Sequence, residues 1–184
     1  MTDLSKTTPK KLLWLDLEMT GLNPQKDRIV EVGAIVTGWD FTQIASFESG
    51  VHHEADVLKK LFGNNPWAVA RPHNTQELID LSLKSPSQQR VEDELLTLVA
   101  AHFLPNEPVL LAGNSIHMDR LFIRHWWPRL EARLHYRMLD VSAWKVVMQG
   151  KYATEFKKQE AHRALGDISE SIDELQFYLS KIQA

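Results

Sequence analysis

The sequence predicts an α/β fold in which a central mixed β-sheet is flanked by helices. Three observations predict it. A strand-rich first half is joined by short turns, a helical second half surrounds a further strand, and no linker or repeat interrupts the 184 residues.

The first strand is Leu12-Leu13-Trp14-Leu15-Asp16-Leu17, apolar on both faces as a buried central strand is. Gly21-Leu22-Asn23-Pro24 marks a turn. Arg28 to Thr37, with Ile29, Val30, Val32, Ile35 and Val36, is the second strand, and Ile44 to Val51 the third. Short links between them predict an antiparallel meander. Ser85, Pro86 and Gln88 read as the N-cap, first position and capping box of a helix bearing Val91, Leu95, Leu98 and Val99. Pro108 to Ala112 reads as a strand ending at Gly113, and Ile116 to Trp127 as a helix stopped by Pro128. Leu165, Ile168, Ile172, Leu175, Leu179 and Ile182 form the core stripe of a last helix. One domain over 1–184 is expected, its packed part running from about Lys11 to about Ile182, with residues 1–10 a flexible N-terminus.

Composition narrows the function classes. Hydrophobic residues make up 43% and charged residues 24%, the balance of a globular chain. A net charge of −3 argues against a long footprint on duplex DNA, which needs a basic surface, but allows a small nucleic-acid ligand at one local site. There is no Cys, so disulfide and thiolate chemistry are excluded. Without an apolar run of membrane-spanning length or a signal-peptide core, the expectation is a cytoplasmic protein. No P-loop, HExxH or GxSxG motif occurs.

Carboxylates carry the chemical signal. Asp16 and Glu18 stand two apart in a strand and so share a face among apolar neighbours. Such a pair is costly unless a cation joins it, although a frayed strand end in water would present the same motif. Asp119 shares a helical face with Phe122, Ile123 and Trp126, where an acid needs a partner; a first-turn Asp favoured by the helix dipole is the other reading. Asp167 opens the last helix. His162 lies five residues earlier and, if both were helical, would point about 140° away, which places it on the approach loop or first turn. Four carboxylates and one His supply the parts of metal-assisted phosphodiester hydrolysis: hard oxygen ligands for two Mg²⁺ or Mn²⁺ ions about 4 Å apart, and a base for the attacking water.

Four segments extend this into a resemblance. They are Leu15-Asp16-Leu17-Glu18-Met19-Thr20-Gly21-Leu22, Gly113-Asn114-Ser115-Ile116 with Asp119-Arg120, His135-Tyr136-Arg137 with Leu139-Asp140-Val141-Ser142, and His162-Arg163-Ala164-Leu165 with Asp167-Ile168. In order and content they resemble the motifs of the oligoribonuclease family, a branch of the DEDDh 3′→5′ exonucleases with a ribonuclease H-like fold. The resemblance implies that Asp16, Glu18, Asp119 and Asp167 bind two Mg²⁺ or Mn²⁺ ions and that His162 is the general base. It implies that Leu22 wedges between the bases of a dinucleotide and that Trp67 stacks on one, where core packing is the alternative for a Trp. Ser115, His73, Arg137 and Ser142 would close around the substrate's 5′ phosphate. Tyr136 and Arg137 would come from the partner in a homodimer with a shared active site. The implied substrates are short RNA and dinucleotides, which one wedge, one stacking ring and a closed phosphate cap hold without reading sequence.

The chain departs from the family pattern at His117-Met118, at Gly166, and between Trp67 and His73, where it is one residue longer. Three other readings compete. Another DEDDh exonuclease, for proofreading or RNA end-trimming, would degrade long single strands. A binding module that lost catalysis would release no mononucleotides. A purely structural α/β domain would leave the coincidence of motifs without cause.

Overall fold

The computed structural model describes residues 9–157 and 163–182. Five strands form one sheet in the order β3-β2-β1-β4-β5. They are β1 (Leu12–Met19), β2 (Ile29–Thr37), β3 (Gln43–Gly50), β4 (Val109–Gly113) and β5 (Leu134–Asp140). β1 pairs antiparallel with β2, and β2 with β3, as the meander predicts; β1–β4 and β4–β5 are parallel, so the sheet is mixed. The helices are α1 (Ala55–Gly63), α2 (Pro66–Ala70), α3 (Pro72–Lys84), α4 (Gln88–His102), α5 (Ile116–Trp126), α6 (Pro128–Glu131), α7 (Val141–Tyr152) and α8 (Ala164–Lys181).

The pleat of β1 divides the core. Leu13, Leu15 and Leu17 join Val91, Leu95 and Val99 of α4 and Phe122 and Ile123 of α5 on one face. Leu12 and Trp14 join Val141 and Met148 of α7 and Ile168, Ile172 and Leu175 of α8 on the other. Asp16 and Glu18 continue this second face by the period of two, toward the strand's C-terminal end.

Two expectations need correction. Ser87, not Ser85, caps α4, accepting the N–H of Arg90 at 3.4 Å. Ser85 precedes a proline and is therefore held extended; its N–H and hydroxyl close α3 by donating to the carbonyls of Ser82 and Leu81. The second half holds two strands rather than one. β5 was hidden because it is the sheet edge, with Tyr136 and Arg137 exposed, and so lacks a continuous apolar run. Residues 55–84, left unassigned by periodicity, form α1 to α3. The expectation for the N-terminus falls largely on residues 1–8, outside the described residues.

Candidate active site

The acidic site is assembled from both faces of β1. On the second face, α8 crosses β2 so closely that a Cβ on Gly33 would lie 2.9 Å from the backbone of Ala164 and Leu165. Only a residue without a side chain allows this approach. It delivers Asp167, in the first turn of α8, to Asp16 and Glu18. Ligand oxygens of these three carboxylates lie within 4.8 Å of one another. On the first face, α5 buries Phe122 and Ile123, and Asp119 beside them accepts the backbone N–H of Leu17 at 3.0 Å.

The electrostatics are those of crowded, buried acids. Burial, then the charges of Asp16, Asp167 and Glu31, push Glu18 from its ordinary 4.5 up to about 8. Asp119 is likewise raised well above the usual carboxylate range, first by burial and then by Asp16. The donor set is all carboxylate oxygen, which fits hard divalent cations, and a cation here would offset the cost of ionising all four groups.

A cleft of about 250 Å³ opens beside Glu18, lined by Met19, Gly21, Leu22, Asn65 and Trp67. Leu22 is 70% exposed at its mouth. Its loop is clamped by Asp27, which accepts the Thr20 hydroxyl and the Asn23 N–H. A Cβ on Gly21 would strike that carboxylate at 2.5 Å. Trp67 is half-buried, packed against the cluster that Val30, Leu58, Phe62, Ala68, Leu78 and Ile79 form, and its ring is faced by the Arg71 guanidinium at 5.0 Å. The stacking and core readings of this Trp therefore both find a surface.

Sequence reasoning missed Asn65. Its side chain accepts the Trp67 N–H at 3.0 Å and donates to the Thr20 carbonyl at 2.9 Å, tying the α2 start to the end of β1. The Asn-Pro pair that opens α2 was the signal available.

Ser115 and Ser142 meet at 3.0 Å between hydroxyl oxygens. Ser115 is held in the left-handed region (φ 50°), and Asp140, present in the quoted motif but given no role there, accepts the N–H of both serines. Asn114 links this pair to α8. Its amide donates to Ser171 and to the buried Glu174, and its oxygen accepts the Ser142 hydroxyl. His73 stands apart from the cleft lining, exposed on α3 and paired with Glu77 at 3.4 Å. Tyr136 and Arg137 are exposed on the edge strand, the guanidinium 5.2 Å from the Tyr136 ring centre. Neither lines the Glu18 cleft. His162 lies outside the described residues. Among the departures from the family pattern, His117 takes a place near Asp140, Nδ1 to Oδ2 3.6 Å.

A mixed five-stranded sheet with acids gathered where β1 ends is the frame of a ribonuclease H-like exonuclease domain, and residues 13–175 match the family model described as exonuclease (RNase_T). Solved structures share this fold. Exonuclease I of Escherichia coli, zinc-bound and in complex with single-stranded DNA, superposes with a TM-score of 0.69 at 16% identity, covering 95% of this chain. Exonuclease I of Methylocaldum szegediense gives 0.65 at 20% identity over 94%. The chain spans 41% of either structure. Relatives in sequence are closer in length. Oligoribonuclease of Chromobacterium violaceum is 38% identical over 170 residues, 91% of this chain and 92% of that protein. Oligoribonuclease of Neisseria meningitidis serogroup B is 40% identical over 171 residues, 91% of this chain and 89% of that protein. The chain belongs to the oligoribonuclease family.

Proposed function

We propose that the protein is a divalent-metal-dependent 3′→5′ exoribonuclease that hydrolyses short RNA, dinucleotides above all, to 5′-mononucleotides. The observation that carries this is the convergence of Asp16, Glu18 and Asp167 within 4.8 Å at a cleft that also holds Leu22 and Trp67.

Asp16, Glu18, Asp119 and Asp167 would hold two ions, Mg²⁺ or Mn²⁺. When bound, such ions lower the pKa of a water and neutralise charge developing on the phosphodiester. The residues of the chain do the rest. His162, the general base of the resemblance, takes a proton from the attacking water. The water oxygen bonds to phosphorus, the bond from phosphorus to O3′ breaks, and the 3′ oxygen leaves as a hydroxyl after gaining a proton. One product is therefore a 5′-mononucleotide.

Leu22 enters between two bases and Trp67 stacks on one. Ser115 and Ser142, with His73 and Arg137, close around the 5′ phosphate, which leaves no path for a longer strand. Tyr136 and Arg137 lie on the exposed sheet edge and outside the cleft lining, which supports their reaching the site from a second copy of the chain. On this reading the enzyme is a cytoplasmic homodimer of single-domain chains. No helix among the described residues is long and apolar enough to cross a membrane. The test is hydrolysis of a 5′-phosphorylated diribonucleotide with Mg²⁺, with Mn²⁺ and with EDTA. Mononucleotide release with either ion and none with EDTA is expected; release in EDTA would overturn the reading.

A further inference from the structure

Glu31 is a buried carboxylate that the proposed reaction does not use. It stands on β2 opposite Glu18 in the β1–β2 register and is fully buried. A charge removed from water needs a partner. Its ion pair among the described residues is with Arg163, whose Nε lies 3.0 Å from Oε1. Oε2 has no hydrogen-bond partner among them. The same guanidinium reaches Glu48 of β3 at 3.6 Å.

The pair acts at a sensitive point of the chain. Arg163 follows His162 directly and caps α8, and its carbonyl accepts the Asp167 N–H at 3.0 Å. Two residues along β2 from Glu31, Gly33 receives the backbone of Ala164 and Leu165. Residues 163–167 are thus held by an ion pair, a backbone contact and the first hydrogen bond of the helix. Glu31 and Gly33, two apart in the strand, make their holds from one face of β2.

We propose that Glu31 is a positioning residue: through Arg163 it fixes the path by which the chain enters α8 and reaches Asp167. The inference rests on the reading of Asp167 given above. A neutral isostere at Glu31 then loosens the start of α8 while every residue lining the cleft stays unchanged. Glu31→Gln is expected to lower kcat on a 5′-phosphorylated diribonucleotide about 10- to 100-fold, and to weaken Mn²⁺ binding measured by calorimetry, with KM within about twofold. Arg163→Ala leaves Glu31 buried and uncompensated, so its defect is the larger. Adding Glu31→Gln to Arg163→Ala is expected to restore part of the loss, because the stranded charge is gone. Arg163→Lys keeps the charge on the exposed side and should retain most of kcat.

The experiment is this set of variants, with kcat, KM, Mn²⁺ affinity and melting temperature for each and Asp167→Asn beside them. Additive losses in the double variant would overturn the inference, since Glu31 would then act on Glu18 directly and not through Arg163. Wild-type kcat and Mn²⁺ affinity in Glu31→Gln would also overturn it, provided Asp167→Asn is inactive. A fully active Asp167→Asn would instead sink the functional reading itself, and the inference with it.

Discussion

The carboxylate of Asp119 accepts the backbone N–H of Leu17, the residue that separates Asp16 from Glu18 in β1, at 3.0 Å. One hydrogen bond therefore ties the helix on one face of the sheet to the strand whose acids point to the other. The hydrogen bond holds Asp119 in place, and burial of its carboxylate is the cost.

Asp119→Asn should separate stability from function. The Asn oxygen can still accept the Leu17 N–H, while the raised, buried charge is removed. Activity on a diribonucleotide should fall by orders of magnitude. The metal-free protein should melt higher, by about 2–4 °C per kcal/mol recovered in a domain of this size. Melting curves in EDTA check this; a lower melting temperature would mean that Asp119 is paired more favourably than its burial indicates.

The metal-free protein should lose stability as pH rises. Glu18 titrates at about 8 in the fold against 4.5 ordinarily. An acid raised on folding contributes stability that is full below about 4.5 and is lost as pH climbs through 8. A cation offsets that loss. The rise in melting temperature on adding Mn²⁺ should therefore grow between pH 5 and 8, and an increment that stays constant or shrinks would contradict the crowding of charge around Glu18.

Much of this site was legible in the chain, for definable reasons. Asp16 and Glu18 stood out because β1 is central and apolar on both faces, where two acids are costly unless a cation joins them; a frayed strand end was the competing account, and Asp119 and Asp167 weighed against it. Asp119 stood out because the buried stripe of α5 runs through it. Gly33 and Glu31 did not, because their importance lies in what crosses β2 from far along the chain, and a sequence window holds no trace of that contact. β5 escaped for the opposite reason: an edge strand exposes polar residues, and Leu134–Asp140 shows no apolar alternation. Ser85 and Ser87 both suit an N-cap, and a sequence window does not say which one serves.

Gly33→Ala should injure the site more than the fold. The new methyl must displace the backbone of Ala164 and Leu165, found 2.9 Å from its position. Overpacking of this kind costs about 1–3 kcal/mol, and the displaced element carries Asp167. We expect a folded protein by circular dichroism with kcat reduced at least about tenfold, the scale on which small misplacements act. Unchanged kcat and Mn²⁺ affinity would show that α8 yields without moving Asp167.

A shared active site predicts rescue between two inactive variants. If Arg137 serves the partner's site, mixing Asp167→Asn with Arg137→Ala gives mixed dimers in which one site carries both defects and the other carries neither. Random exchange of equal amounts should restore about a quarter of all sites. Dinucleotide cleavage after co-refolding measures this. No rescue despite demonstrated mixed dimers would place Arg137 in its own chain's site or in none.

The most direct measurement is the rate and product of cleavage on 5′-phosphorylated RNAs of two to about ten nucleotides with Mg²⁺. On the proposed reading a wedge, one stacking ring and a closed phosphate cap would hold two nucleotides, each base stack adding about 1–3 kcal/mol whatever the sequence. The account predicts that the dinucleotide is converted to 5′-mononucleotides fastest, with a steep fall in rate on adding a third residue. Equal or faster trimming of the longest strands would contradict it and identify an exonuclease built for long single strands.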